Sequence, residues 1–258
     1  IYSNIIGTYN ILESSNKVSN VKSLIIATTD KVYKNPNQDN HENSELGGDD
    51  FYSASKVSAE LITKSFIKVS KNKNLNISVV RSGNVIGGGD FGTDRLIPDI
   101  VMAIQKKYPL SIRHPKAIRP WQSIFDVIAG YLQLGKRVYE DASYAGPYNF
   151  GPDQVNGQHQ SVEVLIERFL QGIGFARPEI QQSTESYQEA KTLQLCNDKA
   201  KQRLEWAPKL SFADTVDWAA KWYQTYLAAP EKLGELTKKQ WRAYQAMLIP
   251  KSMGKVKS

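Results

Sequence analysis

The stretch SLIIATTDKVY, residues 23–33, decides the fold class. Residues 24–27 are continuously apolar, which is typical of a strand buried on both faces within a parallel sheet. The chain then becomes polar at once, with Thr29, Asp30 and Lys31 side by side. Charged neighbours at a strand end commonly form no more than a weak surface ion pair. Taken alone, this stretch favours that structural interpretation over a catalytic one.

Strand and helix patterns alternate along the rest of the chain. We predict helices over 3–17, 52–72, 96–107 and 126–140, and strands over 23–28, 76–82 and 110–114. This alternation predicts an α/β fold with a parallel sheet. The later elements are shorter, with helices predicted over 160–172, 197–206 and 211–228. They predict a smaller mixed lobe packed against the first.

Composition narrows the class of protein. The chain has 258 residues, 41% hydrophobic and 23% charged, so one or two globular domains are expected. It carries no signal-peptide pattern and no apolar run of membrane-spanning length, and we expect a cytoplasmic protein that binds no membrane. The single cysteine, Cys196, and the scattered His41, His114 and His159 lack zinc-site spacing, so no metal site is predicted.

The net charge of +7 is concentrated near the C-terminal end. Residues 230–258 hold seven Lys or Arg against two acids, which accounts for +5 of that charge. This segment is interpreted as a basic tail whose last residues, KSMGKVKS (251–258), form a frayed, solvated end, and we expect no nucleic-acid binding. Trp241 and Tyr244, three residues apart, are expected to pack on the body of the protein as one helix face.

YSASK, residues 52–56, places a tyrosine and a lysine one helical turn apart. Tyr52 and Lys56 therefore share a face at the start of a predicted helix. A phenol is a weak base at neutral pH, but a neighbouring ammonium group stabilises the phenolate. Such pairs are also common on surfaces without any function. Here, however, the helix start and the Thr-Asp-Lys strand end meet at the carboxyl edge of a parallel sheet, where ligands bind.

Seven segments in order resemble the extended short-chain dehydrogenase/reductase family: NIIGTYNILE (4–13), TTDKVY (28–33), YSASK (52–56), VVRSGNVIGGGD (79–90), RLIP (95–98), IRPWQSIFDV (118–127) and YNFGP (148–152). The resemblance runs from Asn4 to about Trp222 and is strongest to the CDP-glucose 4,6-dehydratase branch. Tyr-x-x-x-Lys is shared by the whole superfamily. Thr-Asp followed by Lys31 indicates the cytidine enzymes, because the similar thymidine-sugar dehydratases carry glutamate there.

The resemblance implies a catalytic role for each matching residue. Tyr52 corresponds to the base that removes the proton from the sugar O4, and Lys56 to the lysine that lowers the tyrosine pKa and holds the nicotinamide ribose. Thr29 corresponds to a hydroxyl that shares the O4 hydrogen bond. Asp30 corresponds to the acid that protonates the hydroxyl leaving C6, and Lys31 takes the place of the base at C5.

Three further residues match binding positions. Asn84 corresponds to an asparagine near the nicotinamide and the sugar, and Arg95 and Arg119 to residues near the nucleotide and its phosphates. A guanidinium suits the last role because its planar fork pairs with phosphate oxygens. The implied activity is that of a lyase that uses NAD as cofactor and converts the nucleotide sugar CDP-glucose to CDP-4-keto-6-deoxyglucose.

The resemblance also implies an architecture. Residues 1–94, with about 120–150, correspond to the C-terminal part of a doubly wound, Rossmann-like NAD-binding domain, and 95–229 mainly to a mixed α/β lobe that binds the nucleotide sugar. The basic tail 230–258 follows. In this family the dinucleotide fingerprint precedes the position of Asn4, so we expect the chain to be a fragment that is inactive alone.

The predicted helix 52–72 carries a broad apolar stripe. Its members are Val57, Leu61, Ile62, Phe66 and Val69. The resemblance implies that the full-length protein is a homodimer, with this helix and helix 3–17 at the interface. The alternative is that the whole stripe faces the sheet.

Successive residues of a strand point to opposite faces of the sheet, so the proposed acid and base would point apart on an ideal strand. Asp30 and Lys31 reach one sugar only if the strand ends there and the backbone turns. Lys31 must also be neutral to act as a base, which an ionised Asp30 opposes. A protonated Asp30 beside a neutral Lys31 is favoured only in a dry site.

A pattern of three glycines occurs at residues 87–92. Gly87-x-Gly89-x-x-Gly92 matches a dinucleotide fingerprint formally, but residues 109–117 lack the acid expected after it, so we interpret the glycines as a flexible substrate loop.

Two alternative functions stay open. The protein could be another nucleotide-sugar dehydratase or epimerase of the same family. A protein of a different class also stays open: a truncated, non-catalytic remnant, or a module that only binds nucleotide sugars.

Overall fold

The structure, a computed structural model, describes residues 1–35, 37–153, 159–182 and 194–249. The helices are α1 Tyr2–Lys17, α2 Phe51–Val69, α3 Leu96–Lys106, α4 Ile124–Glu140, α5 Val162–Ile173, α6 Asp198–Leu204, α7 Phe212–Ala228 and α8 Leu233–Leu248. The strands are β1 Ser23–Ala27, β2 Asp39–Asn40, β3 Asn76–Ser82, β4 Val85–Ile86, β5 Leu110–Ile112, β6 Ile118–Pro120, β7 Gln122–Ser123, β8 Pro147–Phe150, β9 His159–Ser161, β10 Ile180–Gln182 and β11 Gln194–Leu195. Single 3-10 turns lie at Asp30–Val32, Ala142–Tyr144 and Pro230–Lys232.

Three strands form a parallel sheet in the order β1-β3-β8. β1 and β3 pair in register from Ser23 opposite Asn76 to Ala27 opposite Val80. The central strand β3 is buried along nearly its whole length, as its apolar sequence indicates. The predicted α/β fold with a parallel sheet is confirmed.

Helices cover both faces of this sheet. On one face α1 and α2 pack side by side, with Leu12 and Phe66 buried against β1 and β3. On the other face α4 and α6 contribute Leu134, Val138 and Leu204 to a second apolar cluster. Because a parallel sheet exposes no face to water, two helical layers are the expected solution.

A separate apolar cluster lies outside the three-stranded sheet. It joins α3, α5 and α7 through Ile100, Phe169, Val216 and Tyr223, all essentially inaccessible to solvent. Short two-stranded pairs surround it: β5 with β10, β4 with β7, and β6 with β9, the last antiparallel. Of the shorter helices predicted after residue 152, those over 160–172 and 211–228 belong to this cluster as α5 and α7. The helix predicted over 197–206 does not, because α6 packs on the three-stranded sheet.

Within the segment interpreted as a basic tail, residues 233–248 form helix α8 and pack on the body of the protein. Tyr244 is fully buried, and its ring stacks on Phe125 at a centroid distance of 5.7 Å. Trp241 stacks on the same phenylalanine at 6.0 Å. The prediction that Trp241 and Tyr244 form one packing face is confirmed. Residues 250–258, which include most of the predicted solvated end, lie outside the described residues.

Side-chain caps set several helix starts. Asp50, Ser123, Ser161 and Ser211 accept hydrogen bonds from the first-turn N–H groups of α2, α4, α5 and α7. For this reason α4 begins at Ile124 rather than 126, and α5 at Val162 rather than 160. Among the helices of the described residues, none combines the length and the apolar composition that crossing a bilayer requires.

Candidate active site

The Thr-Asp-Lys segment forms a tight turn at the end of β1. β1 ends at Ala27, and Thr29 caps the 3-10 turn that starts at Asp30, its hydroxyl accepting from the Lys31 N–H at 3.4 Å. Asp30 is buried and Lys31 is exposed on the same turn. The backbone therefore turns where a shared substrate requires it to turn.

Asp30 is a buried and incompletely bonded carboxyl group, only 5% exposed. Its Oδ1 accepts from the Thr29 hydroxyl at 3.1 Å, whereas its Oδ2 has no hydrogen-bond partner among the described residues. Burial raises the pKa of Asp30 to about 6, although Thr29, Lys31 and Arg119 each act to lower it. A carboxyl group with such a pKa is protonated often enough near neutral pH to act as a general acid.

Gly83 completes the wall behind this carboxyl and was not anticipated from the sequence. A Cβ at this position would lie 2.7 Å from Asp30 Oδ2 and 3.3 Å from Pro120. The absence of a side chain therefore makes room for the unpaired oxygen. The only signal in the sequence is a glycine directly after the buried strand β3, which also has ordinary structural explanations.

The Tyr-x-x-x-Lys pair lies at the first turns of α2, beside the end of β1. Asp50 caps the helix by accepting from the Tyr52 and Ser53 N–H groups at 2.7 and 3.0 Å. The Lys56 ammonium donates to the Ala27 carbonyl oxygen at 3.2 Å, and partial burial lowers the pKa of Lys56. This bond fixes the helix start against the strand that leads into Asp30. The two motifs are thus brought to one edge of the sheet.

Tyr52 is 48% exposed and has charged and phenolic neighbours on the lobe side. Hydrogen bonding to Asp90, at 2.8 Å, raises the pKa of Arg95, and the neighbouring Tyr52 contributes to the rise. Burial raises the pKa of Tyr131 to about 12, again with a contribution from Tyr52. The exposed Arg95, next to the start of α3, therefore lies within electrostatic range of the tyrosine.

The other two predicted binding residues are Asn84 and Arg119. Asn84 is half-buried between β3 and β4, and its carbonyl oxygen accepts from the Gln122 N–H at 3.0 Å. Arg119 is 6% exposed, on β6, and donates to the Ile118 carbonyl oxygen at 2.9 Å. Its charge lowers the pKa of Asp30, which places the guanidinium within electrostatic range of that carboxyl group. A position so close to the acid was not expected from the sequence.

A buried ion pair anchors the site from behind. Glu60 lies one turn beyond Lys56 on α2 and accepts from Arg81 of β3 at 2.5 and 2.9 Å. The Thr28 hydroxyl donates to the same carboxylate at 2.7 Å. Glu60 therefore joins the helix that carries Tyr52 to both central strands. In the sequence, Glu60 is only an acid four residues after Lys56, and such a residue on a helix cannot be distinguished from a solvated surface residue.

The same network continues to the loop after the Asp30–Val32 turn. Arg81 donates to the Tyr33 hydroxyl at 2.7 Å, and that hydroxyl donates to Asn149 of β8 at 2.6 Å. Burial raises the pKa of Tyr33 to about 12, so it stays a neutral phenol. The loop that follows Lys31 is thus held to the far strand of the sheet.

The glycine run at 87–92 lies outside the three-stranded sheet. The preceding strand β4 pairs with β7, and the loop packs on α7. A Cβ on Gly88 would collide with the Trp222 ring, and Gly89 has a φ of +86°, a conformation that favours glycine. The glycines therefore let the loop lie close to an aromatic cluster.

Comparison with known proteins identifies the family. The model of the GDP-mannose 4,6 dehydratase family matches residues 1–218. The chain belongs to this family. The chain is also similar to a CDP-glucose 4,6-dehydratase from Salmonella typhimurium, with 33% identity over 239 residues. That alignment covers 89% of this chain but 66% of the relative, so the chain spans a little less than two thirds of its length.

More distant relatives share parts of the chain or its fold. A dTDP-D-glucose 4,6-dehydratase from Dictyostelium discoideum is 26% identical over 58% of this chain and 36% of its own. A solved dTDP-glucose 4,6-dehydratase from Bacillus anthracis in complex with NAD has a TM-score of 0.70 at 22% identity, covering 90% of this chain and 70% of that one. A solved UDP-glucuronic acid 4-epimerase from Bacillus cereus has a TM-score of 0.73 at 19% identity, and the match covers 88% of this chain and 68% of that one. The Rossmann-like fold class is therefore confirmed.

Proposed function

We propose that the protein dehydrates CDP-glucose to CDP-4-keto-6-deoxyglucose with NAD as cofactor. One observation carries the proposal: a buried carboxyl group with a pKa of about 6 and an exposed lysine share one turn, beside a helix that opens with Tyr-x-x-x-Lys. Elimination of water across two adjacent carbons needs an acid and a base at the same time. The 33% identity to a CDP-glucose 4,6-dehydratase supports the same reaction class.

The residues at this edge fit the nicotinamide end of NAD. The Lys56 ammonium group donates one of its three hydrogen bonds to the Ala27 carbonyl oxygen, so two N–H donors remain for a ribose hydroxyl. Asn84, half-buried between β3 and β4, is the third residue that we assign to the cofactor. Bound NAD⁺ supplies the acceptor of a hydride from the sugar C4 and the donor that returns it to C6. The glycine run at 87–92 packs on α7, and we assign it no role in binding phosphates.

Tyr52 removes the proton from the sugar O4 during the oxidation step. Lys56, one turn away on α2, stabilises the phenolate by its charge. Thr29 donates a hydrogen bond to O4, for which its hydroxyl must turn away from Asp30 Oδ1, 3.1 Å away. Glu60 and Arg81 keep the helix in register with the strand, so the phenol and the hydroxyl approach the same oxygen.

Asp30 and Lys31 carry out the elimination. The carbonyl group formed at C4 makes the C5 hydrogen acidic, and the Lys31 amine removes it. The Asp30 carboxyl group gives its proton to the hydroxyl that leaves C6. Burial of Asp30 keeps the proton on the carboxyl group until it is needed, because the charged form is poorly solvated there. Arg95 and Arg119 bind the nucleotide phosphates from the lobe side.

We further propose that the protein is a homodimer through α1 and α2. These helices pack on each other, and together they expose apolar side chains to solvent: Ile6, Tyr9, Leu61, Ile67 and Val69. The predicted stripe thus divides, since Phe66 is buried against the sheet while Leu61 and Val69 are not. Light scattering at micromolar concentration is expected to give the mass of two chains, and a monomer would contradict the interface.

A substrate panel tests the nucleotide preference. The protein, expressed from its complete reading frame and supplied with NAD⁺, is expected to form a 4-keto-6-deoxy sugar from CDP-glucose much faster than from dTDP-glucose or UDP-glucose. Equal rates would overturn the cytidine preference but leave the dehydratase intact. Inversion at C4 without loss of water would instead identify an epimerase.

Lys31→Met tests the role of the C5 base. We expect oxidation at C4 to proceed while elimination stops, so that reduced cofactor and a 4-keto hexose accumulate. Lys34→Met is a matched control, because Lys34 is an exposed lysine in the same loop whose ammonium pairs with Glu45 at 2.7 Å. Exchange of the C5 hydrogen with deuterated solvent at the wild-type rate in Lys31→Met would show that Lys31 is not the base.

A further inference from the structure

Three metal-binding side chains meet on the short parallel pair formed by β2 and β11. They are Asp39, His41 and Cys196, and their donor atoms all lie within 4.8 Å of one another. The cysteine is 155 residues from the histidine in sequence, so no spacing pattern indicated the cluster. It is also separate from the turn that carries Asp30.

The register of the two strands explains the convergence. Gln194 lies opposite Asp39 and Leu195 opposite Asn40, so the next residue, Cys196, follows opposite His41. The Cys196 N–H donates to the Asn40 carbonyl oxygen at 3.0 Å, which fixes this alignment.

Alternation of side chains gives the cluster a defined side of the strand pair. Side chains of alternate strand residues share a face, so Asp39 and His41 project together. Asn40 between them is 1% exposed and bonds the carbonyl oxygens of Asn35 and Gln38 on the other side. Leu195 is likewise buried in an apolar cluster, with Val32 and Tyr33. Cys196 is thereby left on the side of the acid and the histidine.

We propose that Asp39, His41 and Cys196 bind a zinc ion, with water as the fourth ligand. Thiolate, imidazole and carboxylate are the three ligand types that Zn²⁺ takes in proteins. Magnesium and calcium prefer all-oxygen sites, and the mixed S, N, O set disfavours both. Zinc bonds of about 2.0–2.3 Å hold tetrahedral donors about 3.5 Å apart. The widest pair must therefore close by about 1 Å, which the exposed Asp39 and His41 side chains can supply by rotation.

The environment of the thiol suits a cation. The Asp39 carboxylate lies within 4.8 Å of the Cys196 thiol, with the His41 imidazole at the same point. A bound Zn²⁺ would place a positive charge between the carboxylate and the sulfur and would deprotonate the thiol. The ion would then tie the loop after Lys31, which carries β2, to the strand that leads into α6.

Cobalt and zinc titrations of the chain test the proposal. We expect one equivalent of Co²⁺ to give the d–d bands of a four-coordinate ion and a thiolate-to-cobalt charge-transfer band, both removed by one equivalent of Zn²⁺. Cys196→Ser should abolish the charge-transfer band. His41→Gln and Asp39→Asn, which alter exposed side chains, should weaken Co²⁺ binding by more than about tenfold, the loss typical even of outer-shell partners.

Thermal unfolding supplies a second measurement. Zinc in excess should raise the Tm of the wild-type chain, because it binds the folded form, and should do so much less for His41→Gln. His114→Gln removes an imidazole elsewhere and is the matched control, with wild-type behaviour expected. Absence of the charge-transfer band in the wild type would overturn the site. An equal rise in Tm for His41→Gln would do the same, since the ion would then bind elsewhere.

Discussion

Two buried aspartates, Asp30 after β1 and Asp126 at the start of α4, are bonded very differently. Asp126, at the start of α4, is 1% exposed and accepts from the Lys209 N–H and the Tyr244 hydroxyl at 2.7 Å each and from the Leu210 N–H at 3.4 Å. Asp30 is almost as deeply buried but has one oxygen bonded only to Thr29 and the other to no described residue. Burial raises the pKa of both carboxyl groups.

The difference separates a structural carboxylate from a reactive one. Every polar partner of Asp126 belongs to the protein, so the group is saturated and joins α4 to α8 and to the segment before α7. Asp30 keeps an unpaired oxygen at the edge where the proposed substrate binds. An unsatisfied buried polar group costs stability, and such groups persist where function requires them.

The largest expected effect is on turnover. Asp30→Asn in the protein from its complete reading frame should lower the rate of dehydration by about 10²- to 10⁴-fold, the range typical of general acid–base groups. Hydride transfer from C4 should be much less affected, since Tyr52 is the base for that step. Asp126→Asn serves as the comparison, with a near-normal rate per folded molecule. Rapid-quench analysis of 6-deoxy product measures both variants, and an unchanged rate in Asp30→Asn would refute the acid role.

Asp126→Ala should cause the largest loss of stability. The change leaves three buried donors unsatisfied, at about 1–3 kcal/mol for each group, so we expect a loss of about 3–5 kcal/mol in the free energy of unfolding. Urea denaturation followed by circular dichroism measures the difference. A loss below about 1 kcal/mol, the net value of one ordinary hydrogen bond, would show that the three bonds do not hold α8 in place.

Asp30→Asn should instead stabilise the chain above pH 6. The pKa is raised from its ordinary 3.8 to about 6, so the folded state binds the proton more tightly than the unfolded state does. Wild-type stability therefore falls as pH rises between about 4 and 6 and is constant above that range. The variant should gain no more than about 3 kcal/mol at pH 8 and nothing at pH 3.5. Urea midpoints at the two pH values measure the gain, and an equal gain at both would exclude a titrating Asp30.

The smallest effect is expected from Tyr244→Phe. The variant keeps the buried ring and its stacking on Phe125 but removes one of three hydrogen bonds to Asp126. A loss of about 1–2 kcal/mol is expected, smaller than that of Asp126→Ala because both backbone donors remain paired. Differential scanning calorimetry measures the change in Tm, and a loss as large as that of Asp126→Ala would mean that the hydroxyl dominates the cluster.

Local patterns predicted much of the fold. The apolar run at 24–27 and the buried strand at 76–82 indicated a parallel sheet, because such strands have no solvated face. The spacing of Trp241 and Tyr244 predicted their common packing face, since three residues make nearly one helical turn. The helix expected over 52–72 ends at Val69, where Ser70 takes an extended conformation and bonds Asn16.

Contacts between distant segments escaped the sequence interpretation. The contact of Asp30 with Gly83 and that of Asp126 with Tyr244 depend on how strands and helices pack together. The sequence around the glycine or the tyrosine does not identify the partner. The Glu60–Arg81 pair was hidden for the same reason, since an acid on a helix is normally solvated. The roles of Thr29, Asp30, Lys31, Tyr52 and Lys56 came from the resemblance and stay proposals, whereas their common location follows from the fold.

The order of the strands in the central sheet bears on how the chain folds during synthesis. β1 and β3 pair first, but β8, which closes the other side of β3, is made much later. At about 5–20 residues per second, β3 waits on the order of ten seconds with one edge unpaired. Such an edge is a template for association with another nascent chain. Slower translation between residues 82 and 147 would lengthen the wait, and the yield of folded protein should therefore be sensitive to codon choice in that interval.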